Sequence, residues 1–181
     1  MNKRKSLYHN GALNQTPHLE RPSSDRRWAA FFAGARAISP ILLGVFPFAT
    51  IAGIAVVSVG IAVIPAIAMS VIVFAGASQI AVADLVGKNA PFIIIVMTAL
   101  VINLRFMMYS ASIAPHLKRI KNLWKMGLAY LLTDQAYAVS ISKFNREPEF
   151  QSKHWYYAGC GFVMWLTWQI GTVIGVYLGL Q

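Results

Sequence analysis

Apolar residues in this chain run in long uninterrupted blocks, not in the alternation of a strand or the one-sided stripe of a surface helix. Five such stretches follow a polar start. The first runs from about Ala37 to Gly60, with Pro47 near its middle, where Leu43 loses its usual helical donor and a kink is expected. The second runs from about Ala62 to Val86 and carries Gly76-Ala77-Ser78-Gln79 past its midpoint; Lys88 to Pro91 is a turn. The third spans Pro91 to Pro115, the fourth is the short run between Lys125 and Lys143, and the last spans Trp155 to Leu180. The opening Trp155-Tyr156-Tyr157 suits an aromatic belt at the membrane interface. A bilayer crossing needs about 20 apolar residues. The pattern therefore predicts an all-α integral membrane protein with about five hydrophobic spans, some of them kinked or broken. Residues 1–35 read as a disordered basic cytoplasmic tail, and 36–181 as a polytopic transmembrane domain.

Two charges interrupt the apolar blocks. Arg105 is the only one between Pro91 and Pro115, and Asp134 is the only one between Lys125 and Lys143. A charge at the centre of a transmembrane helix costs about 3 kcal/mol or more, so it persists where it meets a partner, a cavity or a substrate. Arg105 lies about 16 Å from His116 at helical rise, and Asp134 about 13 Å from Lys125. Both distances start from one short loop, so antiparallel helices would set the two side chains at similar depth. They form either an inert structural pair or the charged centre of a pathway. In the pathway reading, Arg105 favours the ionised carboxylate while burial disfavours it, a competition suited to a proton carrier.

Gly76-Ala77-Ser78-Gln79 has two readings. Small residues at mid-membrane form close-packing surfaces. Alternatively they mark a broken helix whose free backbone groups bind a substrate's charged ends. A zwitterionic amino acid needs donors for its carboxylate, acceptors for its ammonium and an apolar pocket. Arg105 and helix N-terminal amides suit the first need, and Asp134, Ser78 and Gln79 the second, while Asn103 adds an amide near Arg105. Phe74, Phe106, Met107 and Met108 are available for the third. Asp84 and Lys88, four apart, read as a surface pair. Gly171, Gly175 and Gly179 form a GxxxGxxxG helix-packing ridge, expected to dock a partner subunit or further helices.

Composition agrees with a membrane assignment. Hydrophobic residues make up 57% and charged residues 12%, about half the usual charged share of a soluble domain. The net charge of +10 sits in the tail and loops, which fits cytoplasmic anchoring, and no nucleic-acid motif accompanies it. One cysteine, Cys160, excludes an intrachain disulfide, and four scattered histidines lack ligand spacing, so no metal and no cofactor are expected. Nothing in residues 1–27 resembles the apolar core of a cleavable signal peptide. With no paired carboxylates and no serine–histidine arrangement, an enzyme is disfavoured, and a channel would show rings of like charge. Orientation follows the Lys/Arg balance. Five simple crossings place eleven inside against four, and a re-entrant second stretch alone gives the same eleven against four.

The segments FAGASQ (74–79), NLR (103–105), YSASIAPHL (109–117) and LLTDQAYA (131–138) resemble the AzlC family, the large subunits of bacterial branched-chain amino-acid exporters. The resemblance extends from about Arg36 to the last residue in matching order and spacing. It implies a multi-pass protein of the bacterial inner membrane, with a cytoplasmic N-terminal tail. It further implies export of leucine, isoleucine, valine and sometimes methionine, driven by the proton-motive force with a small AzlD-type membrane subunit. Its implied partners are thus that subunit, the amino acids, protons and the lipid bilayer. Gln135 stands where the family has Glu, which removes one candidate proton carrier. The family has about seven spans, so the expectation here is a chain lacking the last two helices. The alternative is accordingly a truncated, non-transporting membrane scaffold or assembly subunit.

Overall fold

The computed structural model describes residues 24–118 and 120–181. They form helices α1 (Ser24–Ser58), α2 (Val63–Val73), α3 (Gly76–Gly87), α4 (Phe92–Asn103), α5 (Arg105–Ile113), α6 (Asn122–Tyr130), α7 (Asp134–Arg146) and α8 (Lys153–Leu178). A 3₁₀ turn over Ala114–Leu117 extends α5. Among the described residues there is no strand. Three helices are long and apolar enough to cross a membrane: Ser24–Ser58, Phe92–Leu117 and Lys153–Leu178.

The expected tail boundary moves. α1 begins at Ser24, so 24–35 is helix, while residues 1–23 lie outside the described residues. The physical reason is packing. Trp28 lies 5.9 Å from the Trp155 ring, and the Cys160 thiol donates to the Gly34 carbonyl at 3.2 Å. α1 then continues through both Pro40 and Pro47 without ending.

α1 and α8 form the spine, and they run parallel. Gly34 meets Tyr156 and Cys160, Ala49 meets Gly171, Gly53 meets Thr172 and Val176, and Val57 meets Gly179. Residue numbers rise together along both helices. The contact is backbone to backbone, because a Cβ on Gly175 would overlap the Thr50 carbonyl and one on Gly159 the Phe31 carbonyl. Small residues permit this approach, which maximises dispersion where no hydrophobic drive operates between helices. The glycine ridge is therefore consumed within the chain. Gly171, Gly175 and Gly179 face α1, which corrects their expected role as a subunit-docking surface.

Parallel α1 and α8 also settle the path between them. α2 starts beside the end of α1 and descends until Gly76, just past its tip, touches Trp168. α3 then climbs back, since Ala83 joins Val56, Val57, Ala66 and Val176 in one cluster and Gly87 abuts Val59. The second stretch is a re-entrant hairpin. α4 and α5 carry the chain across to the other side, through a tighter turn where Leu104 N–H bonds the Val101 carbonyl at 3.2 Å. α6 enters from that side, with Trp124 4.9 Å from the Trp155 ring, and rises until the Tyr130 hydroxyl meets the Trp165 indole. α7 returns, with Phe144 6.2 Å from Tyr156. The fourth stretch, read as a crossing, is a second re-entrant hairpin.

Each hairpin enters from the side at which the preceding crossing ended, so the two units run in opposite directions. Both short stretches turn back, so Arg26, Arg27, Arg36, Lys118, Lys121, Lys125, Lys143, Arg146 and Lys153 all lie toward the side where α1 and α8 begin. Lys88 is the single described Lys or Arg at the opposite side. Neither balance expected from the sequence survives, because each counted the fourth stretch as a crossing.

Two outcomes test this fold. Single cysteines replacing Asn122 and Gln151, both exposed, should react with an impermeant thiol reagent from one side of the membrane, and one replacing Asn89 only from the other. Buried Cys160 should stay silent; labelling of Asn122→Cys and Gln151→Cys from opposite sides would mean that the fourth stretch crosses. In thermal unfolding, Gly175→Val should cost about 3 kcal/mol, the upper end for an overpacked contact. Gly44→Ala, where nothing lies within 4 Å, should leave stability unchanged or raise it.

Candidate functional site

The tips of the two hairpins meet near the middle of α8. Trp168, against the first tip, lies about 22 Å from the start of that helix, whose 26 residues span about 39 Å. Leu131, at the second tip, touches Gly161. Between the tips is a cavity of about 230 Å³, lined by Val45, Phe48, Phe74, Ala75, Gly76, Ala77, Arg105, Phe106, Thr133, Asp134, Gln135, Met164 and Trp168. That is somewhat smaller than pockets for drug-sized ligands, which begin near 300 Å³, and it suits a small solute.

Each tip breaks a helix in a different way. At the first, Phe74 takes the left-handed conformation (φ 43°), a region a bulky residue enters only when its surroundings hold it there. α3 then starts at Gly76 with no side-chain cap, its N-cap being Ala75. At the second tip, Thr133 caps α7, its hydroxyl accepting from the Ala136 N–H at 3.2 Å. Asp134 opens α7, where the helix dipole favours a carboxylate. Two half-helix N-termini thus face one cavity, one bare and one carrying an acid.

Arg105 and Asp134 meet there, Nη1 to Oδ2, at 2.7 Å. The pairing expected from their depth is present, but it uses one donor and one acceptor only. Arg105 Nε and Asp134 Oδ1 remain buried without partners. The side chains are 31% and 35% exposed, and both line the cavity. The guanidinium also lies 5.2 Å over the Phe106 ring.

The sequence candidates divide into two groups. Phe74, Gly76, Ala77, Arg105, Asp134 and Phe106 line the cavity. Ser78, Gln79 and Asn103 do not: Ser78 Oγ donates to the Ala75 carbonyl at 2.9 Å, and Asn103 Nδ2 donates to Ser78 Oγ at 3.3 Å. Gln79 is buried with both amide atoms unpaired. Met107 and Met108 point outward and are more than two-thirds exposed, so they do not build the apolar wall. Asp84 and Lys88 pair at 2.7 Å at the exposed end of α3. Sequence reasoning missed Val45, Phe48, Met164 and Trp168, which packing alone delivers to the cavity. It also missed Thr133, although a threonine directly before an acidic residue is a helix-start signal.

The tips are tied to each other. The Tyr130 hydroxyl donates to the Val71 carbonyl, freed near the end of α2, and accepts from the Trp165 indole at 2.8 Å. Phe74 and Tyr130 rings lie 6.1 Å apart.

Residues 40–181 match the AzlC protein family. Over 156 residues the chain is 29% identical to an inner membrane protein, YgaZ, of Escherichia coli K12, covering 83% of this chain and 62% of that protein. Over 141 residues it is 30% identical to an uncharacterised membrane protein of Archaeoglobus fulgidus, covering 77% and 58% respectively. The chain thus spans about 60% of the length of these relatives. No solved structure matches.

Opening the ion pair should be non-additive. Asp134→Asn alone leaves a guanidinium unpaired and Arg105→Gln alone leaves a carboxylate unpaired, whereas the two combined leave no charge. The double variant should therefore melt above the sum of the single losses, with a coupling of about 1–3 kcal/mol once water in the cavity is allowed for. Strictly additive losses would mean the contact contributes nothing.

Proposed function

Because this chain belongs to the AzlC family, a family of membrane transporter-type subunits, we propose that it is the large subunit of an exporter of branched-chain amino acids. Leucine, isoleucine and valine, with methionine as an extension, occupy the cavity between the hairpin tips. One observation carries the reading: at mid-depth, two half-helix N-termini and a lone ion pair converge on a cavity with an apolar wall. Irregular backbone at membrane depth is tolerated where it lines a cavity or is buried in protein, and charges there mark pathways. Transporters bind zwitterions in this way, using dipole ends for the charged groups.

Asp134 is the proton-coupling group in this reading. Among the described residues it is the one acid lining the cavity, and Gln135, where the family usually has Glu, lines the same wall without a titratable group. Protonation of Asp134 would release Arg105, so proton binding and the state of the ion pair are linked. A small membrane subunit of the AzlD type completes the exporter. The side on which α1 and α8 begin is cytoplasmic, supported by the concentration of Lys and Arg there.

Efflux of labelled leucine from cells producing the chain with its small partner tests this. An imposed proton gradient should drive efflux, and Asp134→Asn should lower the driven rate at least about tenfold while leaving substrate binding intact. A normal driven rate in that variant would end the proton-carrier role. Absence of leucine efflux from the intact pair would end the exporter reading.

A further inference from the structure

We propose that the groove between the end of α5 and α6 is a binding site for an anionic phospholipid, whose phosphate lies between Lys118 and Lys125 and whose acyl chain runs inward along an apolar floor. The groove shares no lining residue with the cavity at the hairpin tips, so the site does not depend on what that cavity carries.

The groove holds about 470 Å³, about twice the volume between the hairpin tips. Its polarity is graded along its length. Lys118 follows the 3₁₀ turn, and Lys125 lies on α6 beside Trp124, whose ring meets that of Trp155 at the start of α8 at 4.9 Å. Both lysines thus stand at the level of the aromatic belt. Ser110, at the other end, lies eight residues before Lys118, roughly 12 Å inward at helical rise. Leu132 lies seven residues beyond Lys125, about 10 Å inward. Between these ends the floor is buried and apolar, made by Ile113, Leu117, Leu128, Leu132 and the Tyr157 ring. The rim is Ala111, Ala114 and Ala129, exposed and too short to close it.

A basic mouth at the interface over an apolar floor within the membrane matches a phospholipid lying in register with its own leaflet. No acid lines the groove, and among the described residues no ion pair engages Lys118 or Lys125. Both ammonium groups are therefore available to a phosphate, while their alkyl stems can lie along the apolar wall. Other occupants satisfy only half of the groove. A zwitterionic amino acid would find nothing for its ammonium. A soluble phosphate would use the lysines and leave the floor wet. The chain's own residues 1–23 carry Lys3, Arg4, Lys5 and Arg21 against Glu20, the wrong sign for this mouth.

Native mass spectrometry of the purified full-length chain in detergent, titrated with phosphatidylglycerol or phosphatidylcholine of identical acyl chains, tests the site. Phosphatidylglycerol should bind at least about tenfold more tightly, and glycerol 3-phosphate in equal amount should not displace it. Lys118→Gln with Lys125→Gln should abolish that preference. Arg26→Gln with Lys88→Gln removes the same charge outside the groove and should leave the preference intact. Ala129→Trp, which fills the groove, should weaken both lipids by at least about tenfold. Equal binding of the two lipids, an equal loss in the Arg26 and Lys88 control, or displacement by glycerol 3-phosphate would overturn the inference. Benzoylphenylalanine in place of Ala114, photo-activated in membranes of producing cells, should capture phospholipid; capture of a polypeptide would show that protein covers the groove and would overturn it too. Where Ala129→Trp or the photo-probe fails, the lysine variants, both at exposed positions, decide the matter.

Discussion

The close contact between α1 and α8 governs the topology because it is parallel. Two parallel crossings need an odd number of crossings between them, and one intervening helix, Phe92–Leu117, is long enough. The remaining apolar stretches must return to the side they left. Their breaks then fall inside the membrane, where a freed backbone group needs protein or a cavity beside it. The spine supplies that surround: Trp168 floors one tip and Gly161 admits the other. The glycines that let the backbones touch therefore also determine where the helices can break.

Much of this was legible in the residues. Continuous apolar runs identify membrane helices regardless of their partners, and a lone charge inside such a run has few roles. Arg105 and Asp134 were found for that reason, and their depth followed from helical rise alone. The direction of a short stretch was not legible, because 25 apolar residues read the same as one crossing or as two half-helices. What separates the two is the left-handed turn at Phe74, next to the Gly76 run whose small residues read equally well as a packing surface or a break. Val45, Phe48, Met164 and Trp168 escaped notice for a related reason. An apolar side chain facing lipid and one facing a cavity share a composition, and only the crossing of helices tells them apart. The glycine ridge was recognised as a packing face, but its mate was more than 100 residues away in the same chain.

The ion pair sits where two helices start. Arg105 opens α5 and Asp134 opens α7, and the two helices run side by side, with the Tyr109 and Tyr137 rings stacked at 4.6 Å and the Tyr137 hydroxyl donating to Ser112 Oγ at 2.9 Å. Across that contact the pair meets through one donor and one acceptor instead of a two-pronged clasp. A looser pair leaves atoms free for a third participant. It also sits where the surrounding dielectric is low and electrostatic differences are large.

Tyr130 has a mechanical consequence. Its hydroxyl joins a carbonyl on the first hairpin to an indole on the spine while its backbone belongs to the second hairpin. Withdrawing either arm on its own would strand the Val71 oxygen in a nearly anhydrous setting, a penalty of several kcal/mol. A phenol hydroxyl thus works as a clasp that makes two oppositely inserted arms move in concert, or not at all, until water or a solute takes its place.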